Sequence, residues 1–201
     1  MNAAERLAPD PAQGLAGWVD RWGIRACFVW GMAEATLFFI VPDVIVGLVA
    51  LYRPRKVLRA AAAAIAGALV GGLALYVATR AFGPGTRNVV DAVPFIPDRM
   101  LVQARHDLTV HGGAAMVLAP LARIPYKVYV VEMALRTWNV AVMLLWSIPA
   151  RAVRIVPVGL VAAGLGWLFR RRLERGPLVG LLLYLAAWAV SYANYWRSTG
   201  F

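Results

Sequence analysis

Long apolar stretches, broken by proline and lone charges, alternate with short basic clusters along the chain. The plainest stretch, 60–79, holds no charged side chain and has the roughly 20 residues a helix needs to cross a hydrocarbon core of about 30 Å. Its Gly67, Gly71, Gly72 and many alanines let another helix approach closely. A second ordinary span is predicted over 177–196, ending in the interfacial aromatics Tyr192, Tyr195 and Trp196. Between them, 137–169 is long for one span and contains Pro149, Arg151, Arg154 and Pro157. It reads either as one kinked, tilted helix or as a half-helix followed by a span.

Two other apolar stretches do not read as spans. In 24–52, Glu34 is followed by the pair Pro42-Asp43. Proline lacks an amide proton and pushes the residue before it out of helical dihedrals, so two short helices are predicted, neither able to cross alone. They form a re-entrant hairpin, and its non-helical tip needs shielding by protein or a wet cavity. The stretch 114–135 repeats the pattern, with breaks expected at Pro120 and Pro125 beside Arg123, Lys127 and Glu132. Paired proline-interrupted apolar segments are the best sequence pointer to a transport site. The intervening 82–111, rich in Pro, Asp and Arg, reads as an extramembrane loop with an amphipathic helix near 98–109. In 1–23, Trp18 and Trp22 beside Arg21 and Arg25 suit a short amphipathic helix in the headgroup layer; the alternative is a tail leading into the first apolar stretch. Glu5, Asp10 and Asp20 argue against a cleavable signal peptide.

Composition narrows the class. Of 201 residues, 61% are apolar and 15% charged, against roughly 45–50% and about 25% for soluble domains. Disorder is excluded by the same figures, and a disulfide scaffold by the single Cys27. The expected fold is all-α: a polytopic membrane protein with two re-entrant helical hairpins and about three transmembrane spans. Its parts are an interfacial segment 1–23, a membrane domain 24–169, and a basic loop with a C-terminal transmembrane helix, 170–201.

The net charge is +11, from 21 Lys and Arg against 10 Asp and Glu. In a soluble protein that excess would suggest nucleic acid. Here it gathers at Arg53, Arg55, Lys56 and Arg59 and again at Arg170, Arg171, Arg172 and Arg175, at the ends of apolar stretches. Such clusters anchor spans, mark the cytoplasmic side and attract anionic headgroups, so no nucleic-acid partner is expected.

A charge at the bilayer centre costs from about 2.5 to over 10 kcal/mol unless a partner or cavity receives it. Seven fall within or beside apolar segments: Glu34, Asp43, Arg123, Lys127, Glu132, Arg151 and Arg154. The bland reading is structural ion pairs or side chains that snorkel to the interface. Arg123 and Lys127 flank Pro125 at a helix break, where a cation suits a phosphate headgroup. Arg151 and Arg154, three apart on one helical face, complete that phosphate cluster or pair with Glu132. Glu132 itself reads as a partner for one of these bases. Glu34 lies mid-segment with no base beside it, and Asp43 either shares in proton coupling or caps the following half-helix. The candidate substrate-binding set is therefore Arg123, Lys127, Arg151 and Arg154, and the proton-coupling set Glu34, Asp43 and Glu132.

His106 and His111 have poor metal spacing and read as surface residues; Cys27 reads as a small buried one. No glycine-rich phosphate loop, zinc motif or nucleophile elbow occurs. Neither an enzyme nor a bound cofactor or metal is expected.

These residues resemble the DedA/VTT (SNARE-associated Golgi protein-like) membrane family, its YqaA-like branch above all, over roughly 30–169. Glu34 upstream of Val41-Pro42-Asp43-Val44 is similar to the family's acidic residue before a Pro-Pro-Asp-Val or Pro-Gly-Glu turn. Ala66-Gly67-Ala68-Leu69-Val70-Gly71-Gly72 with Tyr76 and Gly83 resembles a family helix, G-x-x-x-G-x-x-x-x-Y-x-x-G-R-x-x-G. Ile124-Pro125-Tyr126-Lys127-Val128 resembles the turn T-P-I-P-Y-K-V-F, and Ser147-Ile148-Pro149-Ala150-Arg151-Ala152-Val153-Arg154 resembles S-x-x-G-R-x-x-R-F. The chain departs from the pattern at Glu132-Met133-Ala134, at Ala150 and at Ala122-Arg123, where the family has A-A-G, Gly and Thr-Pro.

The resemblance implies two facing re-entrant hairpins in a bacterial inner membrane and a flippase or scramblase for an anionic polyprenyl-phosphate or phospholipid, with proton coupling. Its partners would be membrane lipids with anionic headgroups, and a homo-oligomer is left open. The competing classes are a small-ion or proton-coupled solute transporter and a non-transporting membrane organiser.

Overall fold

The computed structural model describes residues 11–36, 40–83, 85–86, 98–122 and 124–199, and no strand occurs among them. The helices are α1 (Pro11–Ala35), α2 (Asp43–Tyr52), α3 (Val57–Phe82), α4 (Asp98–His111), α5 (Ala115–Ala122), α6 (Tyr126–Leu135), α7 (Val140–Leu168), α8 (Arg170–Arg175) and α9 (Pro177–Thr199). Short 3-10 turns, Pro54–Lys56 and Gly112–Ala114, lead into α3 and α5. Three stretches are long and apolar enough to cross a membrane: Pro54–Phe82, Val140–Leu168 and Pro177–Asn194. At about 1.5 Å per residue, α7 is roughly 44 Å long, more than a hydrocarbon core requires.

Composition suggested a boundary at 23/24, but α1 runs through it as one 25-residue helix. Val19, Gly23, Cys27, Gly31 and Ala35 recur every fourth residue and are all buried, whereas Trp18, Asp20, Arg21 and Trp22 are exposed. One helical stripe therefore binds the whole element to its neighbour. That neighbour is α3, which α1 accompanies in parallel: Asp20 meets Lys56 at one end and Ala35 meets Gly71 at the other. The two backbones touch. A Cβ on Gly67 would overlap the Phe28 carbonyl, and one on Gly31 the Ala64 carbonyl, so small residues set this spacing as they do between membrane helices.

After α1 the chain returns antiparallel as α2, with Gly23 facing Val49 and Asp20 facing Arg53. From the opposite end, α5 runs inward and α6 runs back outward, its first residue Tyr126 beside Gly72 of α3 and Ala134 beside Arg80. The break falls at Pro125, whose extended backbone (φ −62°, ψ 140°) precedes α6. Pro120, expected to be a second break, lies inside α5; it forfeits only its own amide bond to the Met116 carbonyl.

The 137–169 stretch resolves into one continuous helix, α7, despite Pro149 and Pro157. Its buried face reads Met143, Ser147, Ala150, Arg151, Ile155, Gly159, Ala162, Ala163 and Gly166, the 3.6-residue period of a packed stripe. That face holds the helix where each missing proline bond would let it bend. By contrast α9 lies at the periphery, with none of its apolar window buried. It runs antiparallel to α2, through Tyr52 to Pro177, Tyr184 to Val44 and Tyr192 to Val41.

Candidate functional site

The ends of the two helix pairs, α1–α2 and α5–α6, meet against the middle of α7. Arg154 is the central residue of that 29-residue helix, and Arg151 is one turn before it. Asp43 opens α2, about 14 Å along the helix from Tyr52, and Glu34 is the penultimate residue of α1.

Arg151 is the junction. Its Nη2 donates to Glu34 Oε2 at 2.5 Å, and its guanidinium carbon lies 4.0 Å from the centroid of the Tyr126 ring. One cation thus binds the carboxylate of the first pair and the aromatic face of the second. Glu34 and Arg151 are each 4% exposed, and Arg151 Nε has no hydrogen-bond acceptor among the described residues. Tyr126 is fixed from below: the Ser147 hydroxyl donates to the Met143 carbonyl at 2.7 Å, which leaves Ser147 Oγ to accept from Tyr126 Oη at 2.8 Å. Gly72 makes room for that phenol, since a Cβ there would fall on Tyr126 Oη.

One turn along α7, Arg154 Nε donates to Asp43 Oδ2 at 2.8 Å. Asp43 is 2% exposed, and its Oδ1 has no donor among the described residues. The alternative that Asp43 caps α2 is thereby overturned, because its bonded oxygen faces Arg154 and not the α2 amides. The acid still sits in the first turn of α2, where the helix dipole favours negative charge. The turn before it is satisfied from outside: Trp30 Nε1 donates to the Ile40 carbonyl at 3.1 Å, and the Val41 amide donates to Tyr192 Oη at 2.9 Å.

Lys127 is 2% exposed and close enough to Glu34 and Arg151 to interact electrostatically with both. Of the expected set, then, Glu34, Asp43, Lys127, Arg151 and Arg154 come together. Arg123 lies outside the described residues. Glu132 stands apart, nearly two turns along α6 from Tyr126. Arg105 of α4, a base outside the expected set, grips it at 3.2 and 3.4 Å. The physical reason is placement: α4 lies across α6, and Tyr129 one turn earlier donates to Asp107 of the same helix at 2.9 Å. His106 and His111 are exposed, and Cys27 is a buried free thiol.

Sequence reasoning missed Tyr126, Ser147 and Arg105. The first two lay inside the quoted motifs, one turn of helix or one residue from a chosen base. Arg105 sits on a polar helix, and nothing in its spacing points to Glu132.

Outside the membrane stretches, Asp20 accepts from Arg53 Nη2 at 2.7 Å and from Lys56 Nζ at 2.6 Å. These two cations hold its carboxyl well below the usual carboxylate range.

No family model matches the chain, and no curated protein or solved structure matches it either. The likeness to the DedA/VTT family rests on the motifs quoted above. The described residues form an all-helical protein with three helices among them long and apolar enough to span a membrane.

Proposed function

We propose that the protein is a membrane lipid transporter, a flippase or scramblase that moves an anionic polyprenyl-phosphate or phospholipid headgroup with proton coupling. In this reading α1–α2 and α5–α6 are re-entrant hairpins entering from opposite sides of a bacterial inner membrane, and their ends form the headgroup site. The observation that carries it is Arg151, which holds Glu34 and Tyr126 at once while its Nε has no acceptor among the described residues.

Charge balance selects an anion. Lys127, Arg151 and Arg154 face two acids, Glu34 and Asp43, so full ionisation leaves one positive charge in excess. A phosphate oxygen is a stronger match for a guanidinium than a neutral group is. Protonating Glu34 frees Arg151 for that phosphate, and the lone Oδ1 of Asp43 is a second place for a proton. Headgroup and proton then enter together, and departure of the headgroup restores the ion pair. Glu132 lies outside this exchange.

A second reading has its own support: both carboxylates already have base partners, as a non-transporting organiser would require. The charge swap Asp43→Arg with Arg154→Asp separates the two. Full retention of cellular function by the swap favours the organiser.

The functional class is tested in proteoliposomes carrying reporters for a polyprenyl-phosphate, a phospholipid and a small solute. The lipid reporters are expected to cross faster than in protein-free vesicles. Solute flux without lipid movement would instead identify a small-ion or solute transporter using the same site.

A further inference from the structure

A cavity of about 660 Å³ opens at the basic end of the molecule, where the end of α2, the 3-10 turn before α3, the end of α7 and the start of α9 converge. Arg53, Arg55, Lys56 and Arg170 line it, with Glu174 as the one acid. The two basic clusters, far apart in sequence, therefore share one space. We propose that this cavity is a binding site for the phosphate of an anionic phospholipid, separate from the midplane site. Measured along α7 from Arg151 to Gly166, the two lie about 22 Å apart.

Charge comes first. Asp20 occupies Arg53 and Lys56 from one side, and Glu174 pairs only through an exposed contact with Arg170, the kind worth little in water. Counting both acids, the four bases still leave two positive charges in excess. Arg55 is exposed and makes no ion pair among the described residues. Basic pockets between membrane helices are the recognised receptors for anionic headgroups.

The rest of the lining argues for a lipid over a free ion. Trp167 stands at the rim, 77% exposed, as amphipathic rings do at headgroup level. Pro177 forms part of the wall and begins α9, whose Leu178, Val179 and Leu182 are exposed immediately beyond it. A headgroup held by the arginines thus has an apolar helix face beside it for its acyl chains. The walls are tied to one another: Tyr52 Oη donates to the Pro177 carbonyl at 2.5 Å, joining α2 to α9. On the other wall, a Cβ on Gly166 would overlap the Leu51 carbonyl.

The test uses the full chain in neutral detergent, with native mass spectrometry counting bound lipid. The probes are phosphatidylglycerol, phosphatidylcholine and inorganic phosphate. Phosphatidylglycerol is expected to be retained over phosphatidylcholine and not displaced by millimolar inorganic phosphate. Arg55→Gln with Arg170→Gln is expected to weaken it about 25-fold, roughly fivefold per arginine. The control Arg59→Gln with Arg172→Gln removes the same charge from exposed positions outside the cavity and is expected to leave retention unchanged. Equal weakening by both pairs would mean diffuse attraction and no site. Equal retention of phosphatidylcholine, or displacement by inorganic phosphate, would overturn the lipid assignment. Because the midplane residues are untouched, failure here leaves the transport reading standing, and failure of transport leaves this site standing.

Discussion

At the scale of single residues, the molecule depends on Arg151. Taking two charges out of water is costly, and only a partnered pair offsets that cost. Removing one partner should therefore be worse than removing both. Glu34→Gln strands a buried guanidinium and is expected to lower stability by about 3–5 kcal/mol, whereas Glu34→Gln combined with Arg151→Met should recover much of that loss. Thermal unfolding in detergent checks both. Equal stability of Glu34→Gln and the natural protein would mean the pair is not buried as described.

This scale was also the hardest to read from the chain. Glu34, Asp43, Lys127, Arg151 and Arg154 were visible because composition makes any charge in an apolar stretch conspicuous. Their pairing was not visible, since Glu34 and Arg151 are 117 positions apart and periodicity says nothing about which helices meet. Tyr126 was hidden for another reason. An aromatic ring in an apolar segment looks like core until a cation is found against its face.

Among elements, the close parallel contact of α1 and α3 holds the first pair in place. Gly67→Ala places a methyl group against the Phe28 carbonyl, and backbone cannot yield as a side chain can. Overpacking of this kind typically costs about 1–3 kcal/mol, which a lowered midpoint of thermal unfolding would register. An unchanged midpoint would mean the helices are further apart than described. The lower end of the same contact is electrostatic. Because Arg53 and Lys56 depress the Asp20 carboxyl, its contribution is complete above the ordinary carboxylate pKa of about 3.9 and fades as pH falls below it. Asp20→Asn should accordingly reduce hydrogen-exchange protection in the first half of α1 at pH 7, with the difference from the natural protein closing in strong acid. Asp20 is 41% exposed, so the effect is modest. A difference that persists in acid would assign it to something other than this carboxylate.

Uninterrupted apolar length made α3 and α9 legible, and Pro42 and Pro125 made both reversals legible. The continuity of α1 was not, because its first half interleaves the exposed Trp18, Asp20, Arg21 and Trp22 with the buried Val19 and Gly23. Pro120 misled in the opposite direction, since proline inside the short α5 removes only the bond from its own nitrogen and leaves the rest intact.

For the whole molecule, the two basic clusters converge on one end, and the positive-inside rule predicts that this end faces the cytoplasm. With Cys27→Ala as background, Arg172→Cys should react with an impermeant maleimide only in inverted vesicles, and His111→Cys only in intact cells. The reverse pattern would invert the topology. The central claim concerns instead the few acidic and basic side chains gathered against the middle of α7. Its most direct test is translocation of a fluorescent polyprenyl-phosphate in proteoliposomes by the natural protein, Glu34→Ala and Arg151→Ala, each first shown to be present and monodisperse. The account predicts transport by the natural protein and its loss in both variants. Undiminished transport by both would contradict it.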